Sequence, residues 1–93
     1  MADWQPSASL AVLRLRARLL AKARAFFQAR GVWEVDTPAL SRAATPDPHI
    51  HSFRLAGQDG QPRYLHTSPE FPMKRLLAAG SGAIYQICKV FRD

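Results

Sequence analysis

Ninety-three residues allow one domain at most, with a modest core. Apolar residues make up 47% of the chain and charged residues 22%, which excludes a disordered polyelectrolyte. The net charge of +6 permits contact with nucleic acid, nucleotide or an acidic protein without choosing among them, and a single cysteine, Cys88, excludes an internal disulfide. No apolar run approaches the length of a membrane span. The first residues lack the charged n-region and apolar core of a signal peptide, so the expected compartment is the cytoplasm.

Residues 1–9 read as a loose arm, with Pro6 and two serines, Ser7 and Ser9, either of which can cap the next segment. From Leu10 to Ala29 the pattern is helical. Val12, Leu19 and Phe26 recur one heptad apart, as do Leu13, Leu20 and Phe27 one step over, and together they make a wide apolar stripe. Arg14, Arg16, Arg18, Lys22, Arg24 and Arg30 carry all the charge of this segment. Such a face suits solvent, a subunit contact or a nucleic acid, but no aromatic residue interleaves with the arginines to stack single-stranded bases. Arg30-Gly31 ends the helix. Val32-Trp33-Glu34-Val35 is a short strand halted by Asp36-Thr37-Pro38. Pro46, Pro48, Gly57, Gly60 and Pro62 then mark irregular chain, with a brief strand at Phe53-Arg54-Leu55 and a hairpin turn at Gln58-Asp59-Gly60. His49 and His51 lack a neighbouring cysteine or acidic cluster, so two surface histidines are expected rather than a metal site.

Tyr64-Leu65-His66 is a strand, and Thr67-Ser68-Pro69-Glu70 has the form of a capping box that opens a helix. Met73, Leu76 and Leu77 form the buried side of that helix, which ends at Gly80. Gly80-Ser81-Gly82 is a turn. Ala83 to Phe91 then alternates as one long strand, with Ile84, Gln86, Cys88 and Val90 on one side and Tyr85, Ile87, Lys89 and Phe91 on the other. Two readings of these residues stay open. Thr67 and Glu70 can simply cap a helix, and Arg92 can simply be solvated; alternatively, the carboxylate holds an amine and the guanidinium a phosphate. No Ser/His/Asp set and no phosphate-cradling glycine loop is present.

Three segments, in order, carry a resemblance. Arg30-Gly31-Val32-Trp33-Glu34-Val35-Asp36-Thr37-Pro38-Ala39-Leu40 resembles motif 1 of the class II aminoacyl-tRNA synthetases, a long helix and then a strand ending in proline. Tyr85 to Asp93 resembles the first strand of motif 2, whose arginine follows an aromatic residue, here Phe91-Arg92. Between them, Thr67-Ser68-Pro69-Glu70-Phe71-Pro72-Met73-Lys74-Arg75-Leu76-Leu77 looks like the lysyl branch. Within that branch the chain is most similar to the ligase family that modifies elongation factor P, a shortened relative of lysyl-tRNA synthetase. Trp4-Gln5-Pro6-Ser7-Ala8-Ser9 looks like the start of that ligase, and only Met1 to Ser9 precede the helix where a lysyl-tRNA synthetase has its anticodon-binding barrel.

The resemblance implies an α/β fold, the N-terminal part of a class II antiparallel catalytic sheet with flanking helices, incomplete within these residues. It divides residues 1–93 into the arm 1–9, a motif 1-like region 10–40 and the start of a motif 2-like region at 83–93. It implies activation of a lysine-like amino acid, (R)-β-lysine, by ATP, and transfer of the acyl group to a lysine of elongation factor P rather than to tRNA. Ser68, Pro69 and Glu70 would bind the amino acid. Arg92 would act on the ATP α-phosphate as the catalytic residue, with Asp93 at an ATP-contacting position that is often asparagine. Mg2+ would accompany ATP, with ligands outside these residues. The motif 1 helix would pair two copies. Asp93 falls before the glutamate that completes motif 2 and before motif 3, so these residues alone are expected to be inactive. The alternatives are a lysyl-tRNA synthetase catalytic fragment and a small basic module that binds nucleic acid or a protein.

Overall fold

The computed structural model describes residues 3–93. The arm's first two residues lie outside the described ones; residues 3–9 hold turns and bends and no helix or strand. Helix α1 spans Leu10–Ala29. Ser9 is its cap: the backbone is extended there, and the side-chain oxygen accepts from the Val12 N–H at 3.1 Å. At the other end the Gly31 N–H donates to the Gln28 carbonyl and the Val32 N–H to that of Phe27, with Gly31 at φ 70°. These are the paired bonds of a Schellman stop, and only glycine enters that conformation without strain. Arg30 closes the turn by donating to the Phe26 carbonyl at 2.9 Å, with its guanidinium 3.5 Å above the Phe26 ring.

Five short strands come next: β1 Trp33–Glu34, β2 Leu40–Ser41, β3 Arg54–Ala56, β4 Pro62–Leu65 and, after helix α2 (Glu70–Ala78), β5 Ile84–Tyr85. They form two sheets. One has the antiparallel order β2-β4-β3. Its hairpin closes where expected, with Gly57 and Gln61 bonded across the turn and Gly60 at φ 77°. Pro62 sits at the first position of β4, where its missing N–H costs the ladder least. The other sheet pairs β1 with β5 and is parallel, Trp33 opposite Ile84 and Glu34 opposite Tyr85. The resemblance implies an antiparallel sheet, whereas the β1–β5 pair is parallel. The long crossover through β2, β3, β4 and α2 brings β5 back in the direction of β1.

Two further expectations need correction. The long strand from Ala83 to Phe91 is a ladder only at Ile84–Tyr85. Among the described residues no backbone–backbone bond reaches residues 86–90, and pairing resumes at Phe91, whose N–H donates to the His66 carbonyl. Alternating side chains are not enough to make a strand without a neighbour along its edge. The capping box at Thr67–Glu70 does not form either. Glu70 is the first helical residue rather than the third, and the cap position falls on Pro69, whose side chain has no atom to accept a capping hydrogen bond. Ser68 instead accepts from the Glu70 N–H at 3.2 Å. The far end of α2 is set by its glycine: Gly80 bonds to Leu77 and Ser81 to Leu76, a second Schellman stop, with Gly80 at φ 97°.

What packs is a thin seam. Leu20, Ala23 and Phe27 of α1 are half-buried, and the Phe27 ring stacks on Tyr85 with centroids 4.1 Å apart. No described side chain is fully buried. Of the expected buried side of α2, Met73 and Leu76 are half-buried while Leu77 is exposed. The chain presents 7740 Å² to solvent, where a folded monomer of this size shows about 5,400 Å². Its radius of gyration is 17.0 Å, against about 12 Å for a compact domain of this length. Val12, Leu15, Leu19 and Phe26 are all exposed, and by helical geometry they fall within about 60° of one another around α1. No helix of the described residues is long and apolar enough to cross a membrane.

Candidate functional site

The site residues collect where β4 leaves its sheet. The His66 N–H donates to the Ala39 carbonyl at 2.8 Å, the last bond before the chain turns through Thr67, Ser68 and Pro69 into α2. Because Glu70 opens the helix, its carboxylate lies in the first turn, where the helix dipole favours negative charge. It is spent on no cap. Its partner is Lys74 one turn on, at 2.8 Å, and both side chains are more than half exposed. An exposed pair of this kind contributes at most about 0.5 kcal/mol, so an arriving ammonium can displace the lysine at little cost.

The chain's last residues come to the same place. The Phe91 N–H donates to the His66 carbonyl at 3.0 Å, and the two rings lie 6.2 Å apart. The Asp93 N–H donates to the His51 carbonyl at 3.0 Å. Arg92 stands between these two anchored residues, exposed, and its guanidinium has no hydrogen bond or ion pair among the described residues. The backbone thus sets Arg92 and Asp93 beside the strand end that feeds Ser68, Pro69 and Glu70. Asp93 touches His51 through its backbone, and its side chain is exposed. His49 and His51 belong to a loop held by Asp47, which accepts from the His49 N–H, and no three His, Cys, Asp or Glu side chains among the described residues gather as metal ligands.

Sequence reasoning misses two groupings. His66 reads in the sequence only as part of a strand, yet it touches the chain's end through both backbone and side chain, the imidazole Nε2 lying 2.6 Å from the Lys89 carbonyl. Its place just before Thr67 is the available signal. The second grouping is Arg24, Glu34 and Tyr85. The Arg24 guanidine Nε bonds both Glu34 carboxylate oxygens at 3.0 and 3.1 Å, and these three residues line an open hollow of about 440 Å³ with Gln28, Val32 and Trp33. The hollow shares no residue with the turn at Ser68–Glu70. Desolvation against Phe27, and then the Glu34 carboxylate, push the Tyr85 hydroxyl above its ordinary value of 10.0. A group raised on folding stabilises the fold fully below its unfolded value and loses that contribution as pH rises through the folded one. The stacked seam should therefore loosen only above pH 10.0. In tyrosinate absorbance, Tyr85 should ionise above pH 10.0, and Tyr85→Phe should remove that late step; if a late step survives the substitution, the hollow is not as described.

The family model for "tRNA synthetases class II (D, K and N)" matches residues 1–93. The chain belongs to that family. The Vibrio vulnificus protein named elongation factor P–(R)-β-lysine ligase is 57% identical over 99% of this chain. Proteins of the same name from Erwinia tasmaniensis and Edwardsiella ictaluri are 55% and 52% identical over 99% and 100% of it. The chain spans about 30% of the length of these relatives. Membership of the synthetase family, with helices and small sheets around the turn, agrees with the resemblance read from the three sequence segments.

Proposed function

We propose that this chain supplies the amino-acid end and the first phosphate-facing arginine of an elongation factor P–(R)-β-lysine ligase. The observation that carries this is the bond from Phe91 to His66, which sets Arg92 beside the entrance to Ser68, Pro69 and Glu70. The two halves of an adenylation site need that adjacency. The amino acid's carboxylate oxygen attacks the α-phosphorus of ATP, a bond to the bridging oxygen breaks, and pyrophosphate leaves. The amine of a lysine on elongation factor P then attacks the acyl carbon, and AMP leaves. Glu70 holds a substrate ammonium by a charge-assisted hydrogen bond, while Ser68 and the backbone at Pro69 shape the pocket beside it. Arg92 lies along the α-phosphate and offsets the charge that builds as pyrophosphate departs. Asp93 contacts ATP away from the phosphates, since a carboxylate beside them would oppose binding. Mg2+ would accompany ATP and offset phosphate charge, and no residue of this chain is assigned to hold it.

The two small sheets are, in this reading, part of a larger class II catalytic sheet. Elongation factor P is the acceptor and the cytoplasm the compartment. The uncovered stripe Val12, Leu15, Leu19 and Phe26 on α1 faces a second copy.

The test is a chimera in which this chain replaces the matching segment of the Vibrio vulnificus ligase. Given ATP, (R)-β-lysine and elongation factor P, it should raise the mass of elongation factor P by one β-lysyl group and leave tRNA uncharged. Charging of tRNA with lysine in its place would move the assignment to the lysyl-tRNA synthetases of the same family.

A further inference from the structure

We infer that His66 is a positioning residue: its imidazole ties the Lys89 carbonyl and thereby fixes Arg92 relative to Ser68–Glu70. The inference deepens the proposed function and rests on it for the roles of Arg92 and Glu70. The tie itself rests on contacts. Among the described residues, the segment after β5 has no backbone–backbone bond at residues 86 to 90. Its path is held by two side-chain contacts: Thr37 donates to the Gln86 side-chain oxygen at 2.9 Å, and His66 reaches Lys89. The second lies only three residues before Arg92. A carbonyl can only accept, so Nε2 carries the proton and donates. Among the described residues His66 is the sole side chain that bonds the backbone of residues 86–93.

The same residue is also the junction of the site. Its N–H donates to Ala39, its carbonyl accepts from Phe91, and its ring faces that of Phe91. One residue later the chain enters Thr67-Ser68-Pro69-Glu70. A single rigid imidazole thus spans the amino-acid side and the phosphate side of the site, which are 23 positions apart in sequence at His66 and Lys89. Placement within a fraction of an ångström is what in-line attack on a phosphate needs, and a shift of about 1 Å can slow a reaction roughly a hundredfold. The other ring nitrogen, Nδ1, is shut off from solvent and has no partner among the described residues.

In the same chimera, His66→Leu removes the donor, and His66→Gln keeps an N–H at about the reach of Nε2. The Leu variant should form adenylate about ten- to a hundredfold more slowly at saturating substrates, with (R)-β-lysine affinity within about threefold of the parent. Hydrogen–deuterium exchange should show the peptide bearing Phe91 opening. The Gln variant should restore most of the rate and the protection. His66→Asn, too short to reach Lys89, replaces Leu if that variant does not fold. The inference is overturned if the variants lacking the reach leave Phe91 protected, or if Gln fails as badly as Leu. Should the unsubstituted chimera make no adenylate, the proposed function has failed, and exchange at Phe91 still decides whether His66 holds the segment.

Discussion

Glu70→Gln in the chimera is expected to weaken binding of (R)-β-lysine roughly ten- to a hundredfold, because a hydrogen bond to a charged group contributes about 1.5–3 kcal/mol. The structure makes this a clean substitution. Glu70 closes no capping box, and its one partner, Lys74, is an exposed lysine. The glutamine keeps the shape, so the melting temperature should hardly change and ATP binding should stay near the parent value. Arg92→Ala should fail differently. Its guanidinium has no partner among the described residues, so little folding stability rests on it. In the proposed role its contribution would grow with charge in the transition state, so adenylate formation should slow while amino-acid affinity is kept. Equilibrium binding of (R)-β-lysine together with single-turnover adenylation separates the two. A Glu70→Gln variant that binds the amino acid normally but melts earlier would return Glu70 to a purely helical role.

The second large effect concerns the chain by itself. Its surface exceeds that of a compact monomer by roughly 2,300 Å², more than the total area of a standard protein interface. Much of the surplus is apolar: Val12, Leu15, Leu19 and Phe26 on α1, with Ile87 and Val90 on the unpaired segment after β5. Expressed alone, the 93 residues should self-associate, and sedimentation should show little monomer at micromolar concentration. The exposures also separate two kinds of variant on α1. Leu19→Asp, on the open stripe, should favour monomer without unfolding, whereas Leu20→Asp, in the seam with Ala23 and Phe27, should disrupt the fold. A monodisperse monomer with a sharp cooperative melt would contradict this description of the surface.

Features decided by nearby residues are legible in the sequence. The α1 limits come from Ser9 and Gly31, the β3–β4 turn from Gly57 to Gly60, and the end of α2 from Gly80. Each depends on the conformations that one or two residues can adopt. Features decided by distant partners are not legible. Nothing within Ala83 to Phe91 reveals that a ladder neighbour is available to Ile84 and Tyr85 but not to Gln86 through Val90. The capping box fails by two residues: a residue before proline is steered out of helical conformation, so Ser68 cannot open the helix, and the cap position falls on Pro69, whose side chain has no acceptor. The candidate site is found through motif resemblance, and its residues stand along two neighbouring chain segments. The link between those segments through His66 joins positions too far apart for any local pattern to signal.

The most direct test is (R)-β-lysine-dependent ATP–pyrophosphate exchange by the unsubstituted chimera, measured beside the Vibrio vulnificus parent and against α-lysine. If this chain supplies Glu70 and Arg92 to an adenylation site, the chimera should exchange at a rate within about tenfold of the parent and prefer the β-amino acid. A folded chimera that shows no amino-acid-dependent exchange would contradict the account.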